Sequence, residues 1–163
     1  MSACRDINNM NFLSPINFQF TLHRAPGVTY TVQQINLPGI DLPQADRPSP
    51  FVNIPTPGDH LVYEPLQMTF RVNEDMGNWF EIYNWMTALG APRNFNEYSS
   101  ANSEPDGTLL VLNNNNRATT EIAFYNMFPV DLGQIDFNVS LPEVEYATCT
   151  AAFVYSTYKA TSI

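Results

Sequence analysis

The sequence predicts a mainly β protein with one substantial α-helix. Apolar and polar residues alternate over several segments with the period of two that half-buried strands show. Only residues 78–89 carry the period of a helix. A chain of 163 residues with 44% hydrophobic content is long enough for one packed domain and short for two. We therefore expect a polar N-terminal arm over residues 1–15 and a single domain over residues 16–163.

The helix at residues 78–89 has recognisable ends. Asn78 is a good N-cap residue, and Glu81 stands where a capping box would place it. Gly90 would end the helix in the left-handed conformation, and Pro92 would prevent its continuation. Its apolar arc consists of Trp79, Ile82, Tyr83, Met86 and Leu89, flanked by Phe80 and Trp85. An arc this wide indicates either a deeply buried helix or one that also covers a neighbouring copy.

The strands are predicted in chain order as follows. Residues 16–22 form the first strand, Ala25-Pro26-Gly27 turns the chain, and residues 28–37 return beside it as a hairpin. Residues 66–72 form a strand that leads into the helix. Residues 108–112 and 118–125 flank the asparagine run 113–116, which predicts a second hairpin. Residues 128–133 are expected to form a corner, before strands at 135–141 and 146–158. The last strand places Cys149, Ala151, Phe153 and Tyr155 on one face.

The connection over residues 38–59 is unusually long and contains six prolines. Loops of this length inside a compact domain are usually functional or disordered. Its apolar side chains argue against disorder: Ile40, Leu42, Phe51, Val52 and Ile54. The sequence therefore predicts an ordered arm that reaches over a partner.

The charge balance excludes some partners and favours others. With a net charge of −9 the chain is unsuited to bind nucleic acid phosphates. Lys159 is the sole lysine, so exposed strand edges lack a common protection against pairing with other strands. No stretch approaches the roughly 20 apolar residues of a membrane span, and residues 1–10 lack the apolar core of a secretion signal. Cys4 and Cys149 are accordingly expected to be reduced thiols of a cytoplasmic product.

The sequence offers no catalytic, cofactor-binding or metal-binding constellation. His23 and His60 stand apart from other candidate ligands. Glu74-Asp75 precedes the helix, where carboxylates favour the positive end of the helix dipole. No phosphate-binding glycine loop or nucleophile motif is present. We therefore expect neither an enzyme nor a cofactor.

In this order the landmarks resemble the tail tube protein of contractile-tailed bacteriophages. The resemblance rests on Thr29–Gln33 with Leu37-Pro38-Gly39, the stretch Val62–Asp75, the helix with Trp79, Phe80 and Trp85, Phe128-Pro129 with Leu132-Gly133, and Phe153-Val154-Tyr155. It covers nearly the whole chain except the N-terminal arm and residues 93–107.

The resemblance implies an antiparallel β-sandwich or partial barrel with one flanking α-helix. Six subunits would form a ring with a continuous inner β-barrel, and stacked rings would form the tail tube through which DNA is ejected. The implied partners are further copies of the chain, the tail sheath, the tape measure protein, and the baseplate and tail terminator proteins. DNA would pass without specific binding. The implied location is the virion tail, after assembly in the host cytoplasm.

Two sets of residues follow as hypotheses. The subunit interface would contain Trp79, Phe80, Trp85, Ile40, Leu42, Phe51, Val52 and Ile54. The channel wall would contain Thr29, Thr31, Gln33, Gln67, Thr69, Thr148 and Thr150, although either sheet face could look inward. Arg71 shares the strand face of Gln67 and Thr69, so an acidic partner should neutralise it if that face lines the channel.

Alternative functions remain open at this point. A baseplate ring that initiates the tube, or the tube of a phage-derived injection system, would share the same fold. A monomeric carbohydrate-binding sandwich would instead present exposed Tyr and Trp side chains for sugar stacking. A small hydrolase would need turnover that is abolished by substituting a particular acid or histidine.

Overall fold

The computed structural model describes residues 11–48, 50–90, 106–139 and 146–163. Its elements are β1 (Phe18–Leu22), α1 (Pro26–Thr29), β2 (Val32–Ile35), β3 (Ile40–Asp41), β4 (Gln44–Arg47), β5 (Ile54–Pro57), β6 (Val62–Tyr63), β7 (Leu66–Arg71), α2 (Gly77–Gly90), β8 (Gly107–Leu112), β9 (Ala118–Tyr125), β10 (Phe128–Leu132), β11 (Thr148–Val154) and β12 (Thr157–Ser162). Residues 1–10 of the predicted N-terminal arm lie outside the described residues, and Cys4 is among them.

Two four-stranded antiparallel sheets share one apolar core. Sheet A has the strand order β1-β8-β9-β12, and sheet B has the order β10-β11-β7-β2. Two short ladders, β3 with β6 and β4 with β5, complete the described strands. The core is filled from both sheets and from α2 by Phe20, Leu22, Met68, Phe70, Ile82, Phe124 and Phe153, all essentially buried. Burying each such side chain contributes about 1.5–3 kcal/mol.

Several sequence predictions are confirmed. The helix begins and ends within one residue of the predicted bounds. Strand β7 alternates buried and outward side chains as expected. Strands β8 and β9 form the predicted hairpin, and Asn116 in its turn has a φ of 57°. Cys149, Ala151, Phe153 and Tyr155 are all buried on the core side of the second sheet and its continuation.

The hairpin predicted for residues 16–37 is wrong. Strand β1 pairs with β8 in sheet A, whereas β2 pairs with β7 in sheet B. Helix α1 separates them, with Pro26 in its first turn and Val28 buried in the core. The alternation of apolar residues identified both strands, but it contains no information about which strands pair.

The C-terminal half also differs from prediction. Residues 128–132 form the strand β10 instead of a corner. Pro129 is tolerated there because β10 lies at an edge and carries a bulge between Pro129 and Asp131. Residues 135–139 form no strand, and 140–141 fall outside the described residues. The long final strand is divided into β11 and β12, which belong to different sheets.

The start of α2 is fixed by Asn78 in a way that differs from a capping box. Its buried side-chain oxygen accepts hydrogen bonds from the backbone N–H of Asn73 (3.1 Å) and of Trp79 (2.9 Å). Its amide nitrogen donates to the carbonyl of Arg71 (2.7 Å). Glu81 instead accepts from the N–H of Gly27 (2.9 Å), tying α2 to α1. The predicted left-handed stop at Gly90 is also wrong, since no described glycine has a positive φ.

Candidate self-assembly surfaces

The outer face of sheet B is polar. Leu66, Met68 and Phe70 of β7 point into the core, which leaves the intervening residues facing outward. The register with β11 places Thr150 opposite Thr69 and Thr148 opposite Arg71. Four residues predicted for a channel wall therefore share this face: Gln67, Thr69, Thr148 and Thr150.

Two other predicted wall residues do not belong to this face. Thr29 lies in α1, where its hydroxyl accepts a hydrogen bond from the N–H of Leu22 (3.4 Å). The Thr31 hydroxyl donates to the carbonyl of Val28 (3.0 Å) and accepts from the Asn78 amide (3.1 Å). Both hydroxyls stabilise the crossing between the sheets, so placing them on the sheet face was wrong.

A bulge in β2 explains why sequence reasoning missed part of the face. Val32 pairs with Phe70, but Gln34 and not Gln33 lies opposite Thr69. Both glutamines are consequently exposed. The residues that complete the face around a shallow depression of about 260 Å³ are Gln34, Asn36, Asp131 and Ala152. Gln34 is the neighbour of the predicted Gln33. The bulge inserts one extra residue into β2, and the alternation of apolar and polar residues does not show where such an insertion occurs.

The predicted acidic partner of Arg71 is not found. No carboxylate of the described residues lies within ion-pair distance of its guanidinium group. The group lies 5.2 Å from the ring centre of Tyr146. When the Gln33 amide is oriented so that its oxygen faces the guanidinium, the Nε–O and Nη2–O distances are 2.6 and 3.1 Å. Within the subunit, Arg71 is therefore contacted by an aromatic ring and an amide rather than by a carboxylate.

Sheet B has two free edges. Strand β2 forms one edge and β10 the other, and no described strand pairs with the free side of either. Because the four strands alternate in direction, β2 and β10 run oppositely. A β10 strand from a second copy would thus be antiparallel to β2, the arrangement that extends the sheet without interruption.

The long proline-rich connection forms a projecting hairpin, which we call the arm (residues 38–64). Its stem consists of β3 with β6 and β4 with β5, and the N–H of Gly58 donates to the carbonyl of Pro43 (2.7 Å). The ordered arm predicted from sequence is thus present. The apolar residues predicted to contact a partner are all solvent-exposed in the single subunit: Ile40, Leu42, Phe51, Val52 and Ile54. Phe51 near the tip is 95% exposed.

The root of the arm is held by three aromatic side chains, Tyr63, Tyr155 and Tyr158, which we call the tyrosine clamp. The Tyr155 hydroxyl donates to the carbonyl of Glu64 (2.9 Å), and the Tyr158 hydroxyl donates to the carbonyl of Pro38 (3.4 Å). The Tyr63 ring lies 5.7 Å from that of Tyr155 and 5.6 Å from that of Tyr158. One end of the arm is therefore tied to the β11–β12 connection through Tyr155, and the other to β12 through Tyr158.

The clamp continues into the core. The Phe124 ring is fully buried, 5.1 Å from the Tyr155 ring and 5.7 Å from the Tyr158 ring. Burial, with smaller contributions from Tyr158, Tyr63 and Glu64, raises the pKa of Tyr155 to about 12. Its phenol is therefore neutral, and able to donate its hydrogen bond, throughout the physiological range.

The helix contributes an aromatic patch beside the β10 edge. The rings of Trp79 and Tyr83 are stacked at 5.1 Å with an interplanar angle of 12°. Phe80 packs edge-on against Trp79 and is partly exposed. The patch borders a groove of about 450 Å³ that reaches Leu132 on β10. The indole N–H of Trp79 is buried without an acceptor among the described residues.

Trp85 does not belong to this patch, in contrast to its predicted place at a subunit interface. It is 8% exposed, and its ring packs against Phe153 at 6.1 Å in the core of its own subunit. The guanidinium of Arg24 covers the ring at 5.5 Å. The sequence placed Trp85 on one flank of the apolar arc of the helix. It did not show that this flank is covered by residues from distant parts of the same chain.

The described residues contain no group of three or more His, Cys, Asp or Glu side chains arranged to hold a metal ion. One pair that sequence reasoning missed is His60 with Asp59, 2.8 Å apart and exposed at the base of the arm. The hydrogen bond from His60 lowers the pKa of Asp59. Over the same residues no helix has the length and apolar character needed to cross a membrane.

Comparisons with known proteins fit this architecture. No family model matches the sequence. The tail tube terminator protein of Enterobacteria phage T4 is 27% identical over 158 residues, which is 93% of this chain and 87% of that protein. Among solved structures, the tube terminating cap of the anti-feeding prophage has a TM-score of 0.66 at 14% identity, with both chains fully covered. The sheath/tube terminator of an extracellular contractile injection system also has a TM-score of 0.66, at 11% identity, covering 94% of this chain and 99% of the other.

The fold is that of tube-associated proteins from contractile injection systems. At the level of sequence, the chain is similar to a phage tail tube terminator over most of its length. The resemblance to contractile tail proteins seen in the sequence is therefore correct in its general form. The role these comparisons support is that of a structural component of a contractile tail or injection system.

Proposed function

We propose that the protein forms a six-membered ring that terminates the inner tube of a contractile phage tail. The observation that carries the proposal is the sequence similarity to a tail tube terminator, which covers 93% of this chain. The solved structures support the fold alone, since their identities are low. The sequence relationship therefore favours a terminator over the stacking tube subunit that the first resemblance implied.

The free edges of sheet B provide a way to close the ring. In a head-to-tail arrangement, β2 of each subunit pairs with β10 of the next, and six copies join into one antiparallel barrel of four strands per subunit. This closure removes both unprotected edges, which the chain does not guard with lysine. The aromatic patch of Trp79, Phe80 and Tyr83 lies beside β10 and so becomes part of the same subunit junction.

In such a ring the outer face of sheet B lines the channel. Gln67, Thr69, Thr148 and Thr150 present hydroxyls and amides with few charges. DNA therefore meets a wall that offers it few strong contacts, and it passes without specific binding. Arg71 is the cationic exception, and Asp131 shares the same face of the subunit but lies level with Gln67 rather than with Arg71.

The arm gives the ring a direction. It leaves sheet B between the end of β2 and the start of β7, so the arms of all six subunits project from the same side. We assign this side to the last ring of the tail tube. The exposed apolar residues Leu42, Phe51 and Val52 would then be buried against a tube subunit. The sheath would surround this junction, in a virion tail assembled in the host cytoplasm.

The stacking tube subunit remains the second candidate, because the same ring geometry and arm would serve repeated stacking. Growth of tubes from purified tube subunits separates the two. A terminator added in substoichiometric amounts stops elongation and is found at tube ends by immunogold labelling. Incorporation along the whole length of the tube would contradict termination and support the stacking role.

An edge variant tests the ring itself. Val130 lies half-exposed on β10, and Val130→Lys places a charge at the proposed junction without touching the core. The matched control is Val139→Lys, because Val139 is fully exposed and lies outside β10. We expect rings by analytical ultracentrifugation for the wild type and the control, and monomers for Val130→Lys. Rings of unchanged stability in Val130→Lys would refute the β2–β10 junction.

A further inference from the structure

We propose that the hydroxyl groups of Tyr155 and Tyr158 position the arm for docking, by tying both of its ends to the core. Tyr155 and Tyr158 are positioning residues in this scheme. The contact with a second ring is made by the apolar residues further along the arm. The last step of the inference rests on the proposed function, but the order of the arm can be measured on the isolated chain.

Few contacts apart from the clamp hold the arm against the two sheets. The ladder between β3 and β6 contains two residue pairs, and β4 and β5 pair with each other rather than with either main sheet. Such a short two-stranded ribbon is marginally stable alone in water. Apart from the Tyr155 and Tyr158 hydroxyls, the root is fastened by hydrogen bonds between Gly39 and Glu64, which belong to the arm itself, and by one exposed hydrogen bond between the hydroxyls of Tyr63 and Thr157 (3.3 Å). The arm's direction relative to the sheets therefore depends on the clamp.

The clamp is anchored in the core and in sheet A. Tyr155 is 5% exposed, and its ring contacts the fully buried Phe124. Tyr158 lies on β12, which is paired with β9 over six residues. The two hydroxyls reach opposite ends of the arm, at Glu64 and Pro38. The arm is thus held at one point on each of the two chain segments that form its root. Two such points restrict rotation of the arm, whereas a single point would leave it free to turn.

An arm that is ordered before docking binds its partner more tightly than one that is ordered by docking. A surface that is ordered only on binding weakens the association, because its conformational entropy is lost at that moment. The arm carries several exposed apolar side chains that contribute only if they reach the partner together. When the clamp holds the arm in place before docking, the loss of conformational entropy occurs during folding of the subunit and no longer weakens docking.

The experiment compares Tyr155→Phe/Tyr158→Phe with the wild type. This double variant keeps the aromatic rings and removes the two hydrogen bonds that Tyr155 and Tyr158 donate to the arm, while the Tyr63–Thr157 hydrogen bond stays. The control is Tyr30→Phe, since Tyr30 is 92% exposed and outside the clamp. We expect amide hydrogen exchange to rise about two- to tenfold for each lost bond over residues 38–64 and not in β8 or β9. We expect docking onto tube ends to weaken by at least that factor, with no change in ring formation.

The possible outcomes are distinct. Unchanged exchange in the arm would overturn the inference, as would increased exchange throughout both sheets, because the tyrosines would then stabilise the core instead. A loosened arm that docks as tightly as the wild type would overturn the positioning role. If the wild type docks onto no tube, the proposed function fails while the exchange data still decide whether the clamp orders the arm. The single variant Tyr158→Phe, in which the more buried Tyr155 is retained, gives the same readouts if the double variant does not fold.

Discussion

The substitution Phe51→Ser separates the role of the arm in assembly from any role in folding. Phe51 is 95% exposed in the single subunit, so its ring contributes almost nothing to the core. We expect the free energy of unfolding of the subunit to change by less than about 0.5 kcal/mol. If the ring is buried against a tube subunit, its removal costs about 1.5–3 kcal/mol per contact. This corresponds to about a 10- to 150-fold weaker association.

The assay is binding of the purified ring to preformed tubes, measured by co-sedimentation over a range of concentrations, beside thermal unfolding of each variant. Phe137→Ser is the matched control, because Phe137 is 81% exposed and lies outside the arm. Equal binding by Phe51→Ser and wild type would refute the assignment of the arm tip to the junction. Lowered thermal stability of Phe51→Ser would show that the tip packs on its own subunit.

Three further predictions concern the subunit itself. Trp85→Glu should lower the free energy of unfolding of the monomer by about 3–5 kcal/mol or more, because it places a carboxylate in the core; an unchanged free energy of unfolding in urea would contradict this. Asn78→Ala should lower the free energy of unfolding, measured in urea, by about 2–4 kcal/mol, because it removes buried hydrogen bonds. Asn84 is exposed on the same helix, so Asn84→Ala should change this free energy by less than about 0.5 kcal/mol. Because the pKa of Tyr155 is raised to about 12, its stabilising contribution should be complete below pH 10 and be lost between pH 10 and 12. That part of the pH dependence should be absent from Tyr155→Phe.

Local patterns in the sequence predicted the local structure well. The helix could be bounded because Asn78 fixes its start and Pro92 follows its end, both features of a short stretch of chain. The β8–β9 hairpin could be predicted because its asparagine turn is contained between its strands. The order of the arm could be predicted because a disordered loop would lack its apolar side chains; their contact with a partner stays a prediction.

The failures arise where distant parts of the chain decide the structure. The strand at 32–35 joins sheet B because helix α1 redirects the chain, and Gln34 replaces Gln33 on the sheet face because of a bulge. Trp85 is covered by Arg24 and Phe153, neither of which is near it in sequence. The tyrosine clamp joins residues about 90 to 120 positions apart, and nothing in the sequence marks its hydroxyls as partners of the arm.

Imaging the purified full-length protein by cryo-electron microscopy tests the central claim most directly. The account predicts closed rings of six subunits in which β2 of one copy pairs with β10 of the next, with Thr69 and Thr150 facing the channel. A protein that stays monomeric at every concentration would contradict it, and so would a ring whose channel is lined by sheet A.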